Sequence, residues 1–320
     1  MSQSTTKIPI CYLVVPCFNE EEVLPLSAAT FLQKLQQLQT QHKITSSSKI
    51  LFVDDGSTDC TWAKIVQLHQ QHPCIIGLKL SGNRGHQNAL LAGLLYSKDK
   101  ADITISFDAD LQDDIQVIDA FIEKYEQGAQ IVYGVRKDRS LDSFFKRQTA
   151  QTFYKLMNKL GIKLIYNHAD CRLMSKPTLQ ALANYPEENL FLRAIIANLG
   201  FKTEVAYYTR QKRAAGEGKY PLKKMLSFAW EGITSFSLVP IRLISCLGAF
   251  ISGVSLLMFM YFLVGKFLGS PVPGYASLIC SIWFIGGVEL LAISMIGEYI
   301  GKTYIETKRR PRYIIEQVLE

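Results

Sequence analysis

The chain has 320 residues, 48% of them hydrophobic, with 35 Lys and Arg against 28 Asp and Glu, a net charge of +7. That length and apolar content suit one large buried domain with an appendage. Its seven cysteines are scattered and lack CxxC spacing, which excludes a disulfide frame or a zinc site and suits reduced, buried thiols in a cytoplasmic setting.

Met1 to Ile8 is polar, and the first apolar run, Ile10–Val15, is too short for a signal peptide. That run begins a regular alternation. Ile10–Val15, Ile50–Val53, Ile75–Leu80, Ile103–Phe107 and Ile131–Val135 read as strands, and helical patterns lie near 21–39, 60–71, 86–97 and 115–127. A β-α-β-α rhythm predicts an α/β, doubly wound, mostly parallel sheet, in which ligands bind beyond the carboxyl ends of the strands.

Polar clusters follow four of those ends: Pro16-Cys-Phe-Asn-Glu20, Asp54-Asp-Gly-Ser-Thr-Asp59, Ser81-Gly-Asn-Arg-Gly-His86 and Asp108-Ala-Asp110. The first lacks the G-x-G-x-x-G of a dinucleotide fold, and no P-loop occurs anywhere. Asp54 and Asp55 can accept hydrogen bonds from a base N–H or from ribose hydroxyls. Gly56 and Ser57 turn the chain, and Thr58 or Asp59 can cap the next helix.

Residues 103–114 are the most informative stretch, an apolar, β-branched run ending in Asp108, Asp110 and Gln112. On extended backbone alternate residues share a face, so these three oxygen-bearing side chains can converge at a strand end. Mg²⁺ and Mn²⁺ favour such ligands, completed by water and phosphate oxygens. Asp113 and Asp114 suit the start of a helix, where carboxylates oppose the dipole.

Further along, residues 143–161 and 219–238 mix aromatics, aliphatics and cations at helical spacing, as helices lying in a head-group layer do. Leu243–Gly265 holds no charge, and Tyr275–Gly297 carries only Glu289. Each could reach about 35 Å as a helix, enough for a hydrocarbon core of roughly 30 Å. Gly269–Gly274 is a turn-rich connector between these two expected transmembrane helices. Residues 201–242 hold eight Lys/Arg against three acids, and 302–312 hold five against Glu306 alone. Both flanks are therefore expected in the cytoplasm, with 266–274 outside. Basic strips beside a membrane attract anionic or phosphorylated lipids. Nucleic acid is not an expected partner, because no recognised module for it accompanies the charge.

Taken together, Pro16, Asn19-Glu20-Glu21, Asp54-Asp-Gly-Ser-Thr-Asp59, Asn83-x-Gly85 and Asp108-Ala-Asp-Leu-Gln112 resemble the GT-A glycosyltransferases of family 2. The segment from Gly297 to Tyr313 is similar to the bactoprenol glucosyltransferase branch, with dolichol-phosphate mannose synthases as cousins. The resemblance implies a GT-A domain over 1–218, a juxtamembrane amphipathic helix over 219–240, a membrane hairpin over 241–300 and a basic cytoplasmic tail over 301–320. It implies nucleotide contacts from Pro16, Asn19, Glu20, Asp54, Asp55, Asn83, Gly85 and Asp108. It implies a Mg²⁺ or Mn²⁺ site at Asp108, Asp110 and Gln112, and catalytic roles for Asp110, Arg136, Arg147 and Arg213. Acceptor phosphate contacts fall to Arg210, Arg213, Lys219 and Arg172, in the Arg210-Gln-Lys-Arg213-Ala-Ala-Gly216-Glu-Gly-Lys219-Tyr220 loop and the Asp170-Cys-Arg172 segment. Gly218 stands where that family's loop carries Ser.

The activity implied is inverting transfer of a hexose, glucose foremost, from a UDP-sugar to polyprenyl phosphate at the bacterial plasma membrane, by an enzyme that self-associates. An anionic acceptor phosphate needs no general base, so the lack of an obvious catalytic His or Glu fits. His86 and His168 are further candidate contacts. Other family-2 lipid-phosphate transferases using mannose or aminoarabinose, and a non-catalytic nucleotide-sugar scaffold, are the competing readings. A processive synthase would carry Q-x-x-R-W, which is missing. A haloacid-type phosphatase would place its D-x-D after the first strand.

Overall fold

The computed structural model describes residues 8–137, 168–188, 190–209, 239–267 and 274–320. They fall into two compact units. One holds the sheet and takes in Arg310–Glu320, and the other holds two long helices up to Arg309.

In the first unit the chain runs β1 (Cys11–Cys17), α1 (Leu24–Thr40), β2 (Lys49–Asp54), α2 (Thr61–Gln71), β3 (Ile75–Leu80), α3 (His86–Ser97), β4 (Ile103–Ser106), α4 (Val117–Glu126) and β5 (Ile131–Arg136). These nine elements match the expected ones to within three residues. Beyond them come β6 (His168–Ser175), α5 (Lys176–Ala183), α6 (Leu192–Asn198) and β7 (Thr203–Tyr208). The unit is completed by β8 (Ile315–Leu319), which lies past the helices α7 (Val239–Phe267) and α8 (Tyr275–Lys308) of the second unit.

The eight strands form one sheet in the order β7-β5-β6-β4-β1-β2-β3-β8. β1 pairs in parallel with β2 and β4, β2 with β3, and β5 with β7. β6 is antiparallel to both β4 and β5, and β8 to β3. The doubly wound, mostly parallel sheet is thus present, with two antiparallel strands added.

Every residue of β1 is buried, as expected for a central strand covered on both faces. Leu13 and Val15 join a core with Leu24 and Phe31 of α1 and Phe121 of α4. Val14 points the other way, to α3. A Cβ at Gly93 would stand 2.4 Å from Val14 Cγ1 and 2.8 Å from Val53 Cγ2, so only glycine lets α3 lie this close to the sheet.

In the second unit α7 and α8 expose large apolar residues such as Leu257, Leu290 and Leu291. Both expected spans are helical. Among the described residues one segment, Phe284–Lys308, is long and apolar enough to cross a membrane, and Val239–Ile251 is apolar but shorter.

The basic tail expected over 301–320 takes a different form. Helix α8 continues to Lys308 and stops at Arg309, whose φ of 47° is left-handed. Residues 315–319 then return to the sheet as its edge strand. The thiols also differ from expectation: Cys11, Cys17 and Cys171 are buried and free, but Cys60 and Cys246 are exposed. The amphipathic segments 143–161 and 219–238 lie outside the described residues.

Candidate functional site

β2 and β3 lie on one side of β1 and β4 on the other, so the strand order reverses between β1 and β4. A crevice opens at such a point beyond the strand ends. Pro16 helps to open it. The last bond of β1 to the β4 side runs from Phe107 N–H to the Val14 carbonyl, 3.0 Å. Two residues on, Pro16 has no N–H to offer, where a paired central strand would need one.

The loops after β1 and β2 are laced together around this crevice. Asn19 adopts φ 53°, which Asn tolerates better than most residues. Its N–H donates to Ser57 Oγ at 3.0 Å, and its Oδ1 accepts from Thr58 N–H at 2.9 Å. Glu20 N–H donates to Thr61 Oγ1. Asp59 accepts from the amides of Glu21 and Thr61, so it ties the start of α2 to the first loop, while Thr58 is held by Asn19 and caps nothing.

Asp54 and Asp55 are both buried, yet they differ. Asp55 accepts from Arg84 N–H at 2.8 Å and Gly85 N–H at 2.9 Å, one bond to each oxygen. Both of its oxygens therefore hold the loop after β3. Asp54 Oδ1 accepts from Ser57 N–H at 3.3 Å, whereas its Oδ2 is buried without a hydrogen-bond partner. Burial pushes both carboxyls above their ordinary range. Asn83 Oδ1 accepts from Gly85 N–H, which closes the turn that presents Gly85 and His86 at the start of α3.

The acidic segment is a turn, not an extended strand. β4 ends at Ser106, and Leu111 sits at φ 53°, a strained conformation for leucine. The alternation that would align Asp108, Asp110 and Gln112 is therefore broken, and Gln112 is buried. Among the described residues no group of three or more His, Cys, Asp or Glu is arranged to hold a metal ion. Asp108 and Asp110 still lie on one short turn beside the crevice, with Asp110 Oδ1 accepting from Gln112 N–H at 3.1 Å. Burial raises the Asp108 carboxyl to about 6. His86 pulls it back, and Asp170, Asp113 and Asp110 add to the rise. The turn thus carries crowded negative charge that a cation would relieve.

Asp170, on β6, anchors the facing wall. Arg193 of α6 grips it with Nε–Oδ1 and Nη2–Oδ2 contacts of 3.1 Å each, and Arg172 Nη2 reaches Oδ1 at 2.8 Å. His86 Nε2 stands 3.6 Å from Asp108 Oδ1 and 3.7 Å from Asp170 Oδ2, bridging the two carboxylates. Burial works against the Asp170 carboxylate, but Arg193, His86 and Arg172 outweigh it and hold its pKa well below the usual range. His86 is likewise disfavoured by burial as a cation, yet Asp170 and Asp108 draw its pKa up.

The Arg172 side chain is fully buried, with Nη2 on Asp170 and Nη1 without a hydrogen-bond partner. Arg136 closes the site from β5. Its Nη2 donates to Asp113 Oδ1 at 3.2 Å and its Nε to Tyr208 Oη at 3.4 Å. Tyr208 in turn donates to Asp113 at 2.6 Å. Arg136 retains partial exposure.

The structure thus brings Pro16, Asn19, Glu20, Asp54, Asp108, Asp110 and Arg136 to strand ends of one sheet. Arg147, Arg210, Arg213 and Lys219 lie outside the described residues, as does the side chain of His168. Arg193 escaped the sequence reading, its only signal being a lone cation in the apolar run Leu190–Ile196.

A family model described as Glycosyl transferase family 2 matches residues 12–182. An uncharacterised glycosyltransferase of Bacillus subtilis (strain 168), YkoT, is 54% identical over 308 residues, covering 96% of this chain and 91% of that protein. The bactoprenol glucosyl transferase of Shigella phage SfV is 42% identical over 306 residues, 95% of this chain and 97% of the relative. A mannosyltransferase from Pyrobaculum calidifontis, solved in complex with GDP-Man and Mn²⁺, superposes over 96% of this chain and 89% of its own with a TM-score of 0.44 at 15% identity. That likeness is too loose to bear on chemistry.

Proposed function

The chain belongs to glycosyl transferase family 2, and on that premise we propose that it moves a hexose from a nucleoside diphosphate sugar onto a polyprenyl phosphate. The donor is UDP-glucose, the product has inverted configuration at the anomeric carbon, and the reaction runs at the cytoplasmic face of a bacterial plasma membrane. The geometric observation that carries this reading is the crowded acidic turn Asp108–Asp110 at the mouth of the β1/β4 crevice, faced by the His86–Asp170–Arg193 cluster, with Arg136 paired to the nearby Asp113. Near-full-length identity to a bactoprenol glucosyl transferase supports the lipid acceptor.

In this reading Asn19 and Glu20 shape the nucleoside pocket, and the partnerless Asp54 oxygen awaits a donor such as a base N–H. Asp108 and Asp110 would hold a Mg²⁺ or Mn²⁺ ion, since the burial of Asp108 and the repulsion between these carboxylates favour a cation there. When bound, the ion neutralises charge on the leaving diphosphate. Arg136, fixed by Asp113 and Tyr208, presents a guanidinium to a phosphate oxygen with little reorganisation. Arg147, Arg210, Arg213 and Lys219 supply further cations for the diphosphate and the acceptor phosphate.

An oxygen of the acceptor phosphate forms the new bond to the anomeric carbon as the bond to the diphosphate breaks. The nucleoside diphosphate leaves with that electron pair. No proton need be removed from the nucleophile, whose second pKa is about 6. Asp170, held ionised by Arg193 and Arg172, serves to position His86 and to balance charge.

The test is purified protein incubated with nucleotide sugars and undecaprenyl phosphate. Transfer from UDP-glucose is expected, lost with chelator and restored by Mg²⁺ or Mn²⁺. Asp110→Ala should abolish transfer by at least about a hundredfold while leaving the unfolding transition in place, since a carboxylate on a surface turn contributes little to the core. Nucleotide binding without any sugar transfer would make the protein a scaffold. Full activity in excess chelator would remove the metal from the scheme.

A further inference from the structure

β8 carries none of the groups assigned above, and it lies beyond the segment that matches the family model. It is nevertheless built into the sheet. It pairs antiparallel along the outer edge of β3, from Gly77 opposite Leu319 to Leu80 opposite Ile315, with a register shift between Lys79 and Leu80. Leu319 packs onto the core. A Cβ at Gly77 would lie 3.0 Å from Leu319 Cδ1, so that position leaves room for the strand to seat.

Polar contacts fasten both ends. Lys79 Nζ meets Glu316 Oε1 at 3.0 Å, Glu320 accepts from Tyr96 Oη and Lys100 Nζ, and Arg312 Nη2 donates to the Tyr185 carbonyl at 2.5 Å. The last rung matters most. Ser81 N–H donates to the Ile314 carbonyl at 2.9 Å, and Ser81 opens the loop that leads to Gly85 and His86.

That same loop is gripped from within. Its Arg84 and Gly85 amides hold both oxygens of Asp55, and its backbone at Gly82–Asn83 lies so near Gly56 that a Cβ there would stand 2.5–2.6 Å away. Gly56, at φ 66°, is the turn that follows Asp54 and Asp55. The loop after β3 is thus pinned between the nucleoside-side loop and the carboxyl-terminal strand.

We infer that residues 312–320 are a positioning segment for the donor site: by pinning Ser81 they hold the Ser81–Gly85 loop, and through it Asp55 and the Asp54–Ser57 turn, in the shape that binds a nucleoside diphosphate. This rests on the donor-site reading above. Removing the segment frees one side of the loop. The ordering that binding requires must then be supplied by the ligand, which weakens affinity without touching the reacting groups.

The experiment compares the full chain with a variant lacking residues 311–320, both in detergent, using UDP as the probe. Calorimetric Kd for UDP is expected to weaken about tenfold on truncation, with kcat at saturating nucleotide sugar changed less than about twofold. A synthetic peptide of residues 310–320, added in trans, should restore the Kd by adding back the edge strand. Should the truncated chain fail to fold, Leu319→Ala in the full-length protein takes its place. It should speed hydrogen exchange at the Ser81–Gly85 amides and weaken UDP in parallel. An unchanged Kd with either variant, or a fall in kcat at unchanged Kd, overturns the inference. Failure of the intact protein to bind UDP would instead count against the proposed donor.

Discussion

Asp54 and Asp55 are adjacent, buried and alike in sequence, but their hydrogen bonds give them opposite energetics. Asp55 satisfies two backbone amides, so Asp55→Asn would turn an N–H₂ group toward one of them and strand it. That change should cost about 1–3 kcal/mol in urea unfolding. Asp54 keeps a buried oxygen without a partner, and its raised pKa means that the ionised form is penalised at neutral pH. Asp54→Asn should therefore leave stability unchanged or raise it, while weakening the binding of UDP. A loss of stability in Asp54→Asn matching that of Asp55→Asn would show the two to be equivalent. Sequence could not separate them, because a carboxylate that holds a loop and one that awaits a ligand occupy the same motif. Arg193 was hidden for a related reason: its partner Asp170 lies 23 positions away.

Between elements, the link from α1 to α4 is unusual in burying a charge. Lys34 is 1% exposed, paired with Asp119 and hydrogen-bonded to Gln116 at 2.8 Å, and Lys43 meets Asp119 at 2.7 Å. Burial opposes ionisation of Asp119, but the two lysines prevail and lower its pKa. A depressed carboxyl stabilises the fold above its unfolded pKa, and the contribution disappears as pH falls through the folded value. Asp119→Asn should remove about 1–3 kcal/mol near neutral pH, less than a fully buried pair would, because Asp119 is partly solvated and Gln116 remains. The difference from wild type should shrink below pH 4. A difference independent of pH would show that the pair acts by packing. The first nine elements were legible because buried parallel strands read as short, mostly apolar runs and the segments between them carry helical spacing. β6 was not, since a central strand that buries Arg172 breaks the apolar pattern. β8 was not, since Ile315-Glu-Gln-Val-Leu319 reads as part of a charged tail unless the open edge of β3 is known.

At the scale of the whole molecule, the two long helices interrupt the chain between β7 and β8 and are not an appendage at its end. Their exposed apolar faces predict that the protein stays with membranes washed in alkaline carbonate; release into the wash would remove the membrane from its function. The interruption also fixes an order of events during synthesis. Residues 81–314 must be made between β3 and the strand that covers its edge. At about 5–20 residues per second, that edge stays bare for on the order of 10–50 s on the ribosome. An uncovered, apolar strand edge is the usual template for intermolecular pairing. The nascent chain is therefore most exposed to misassembly before residues 315–319 are made, and any pause in that stretch of synthesis lengthens the exposure.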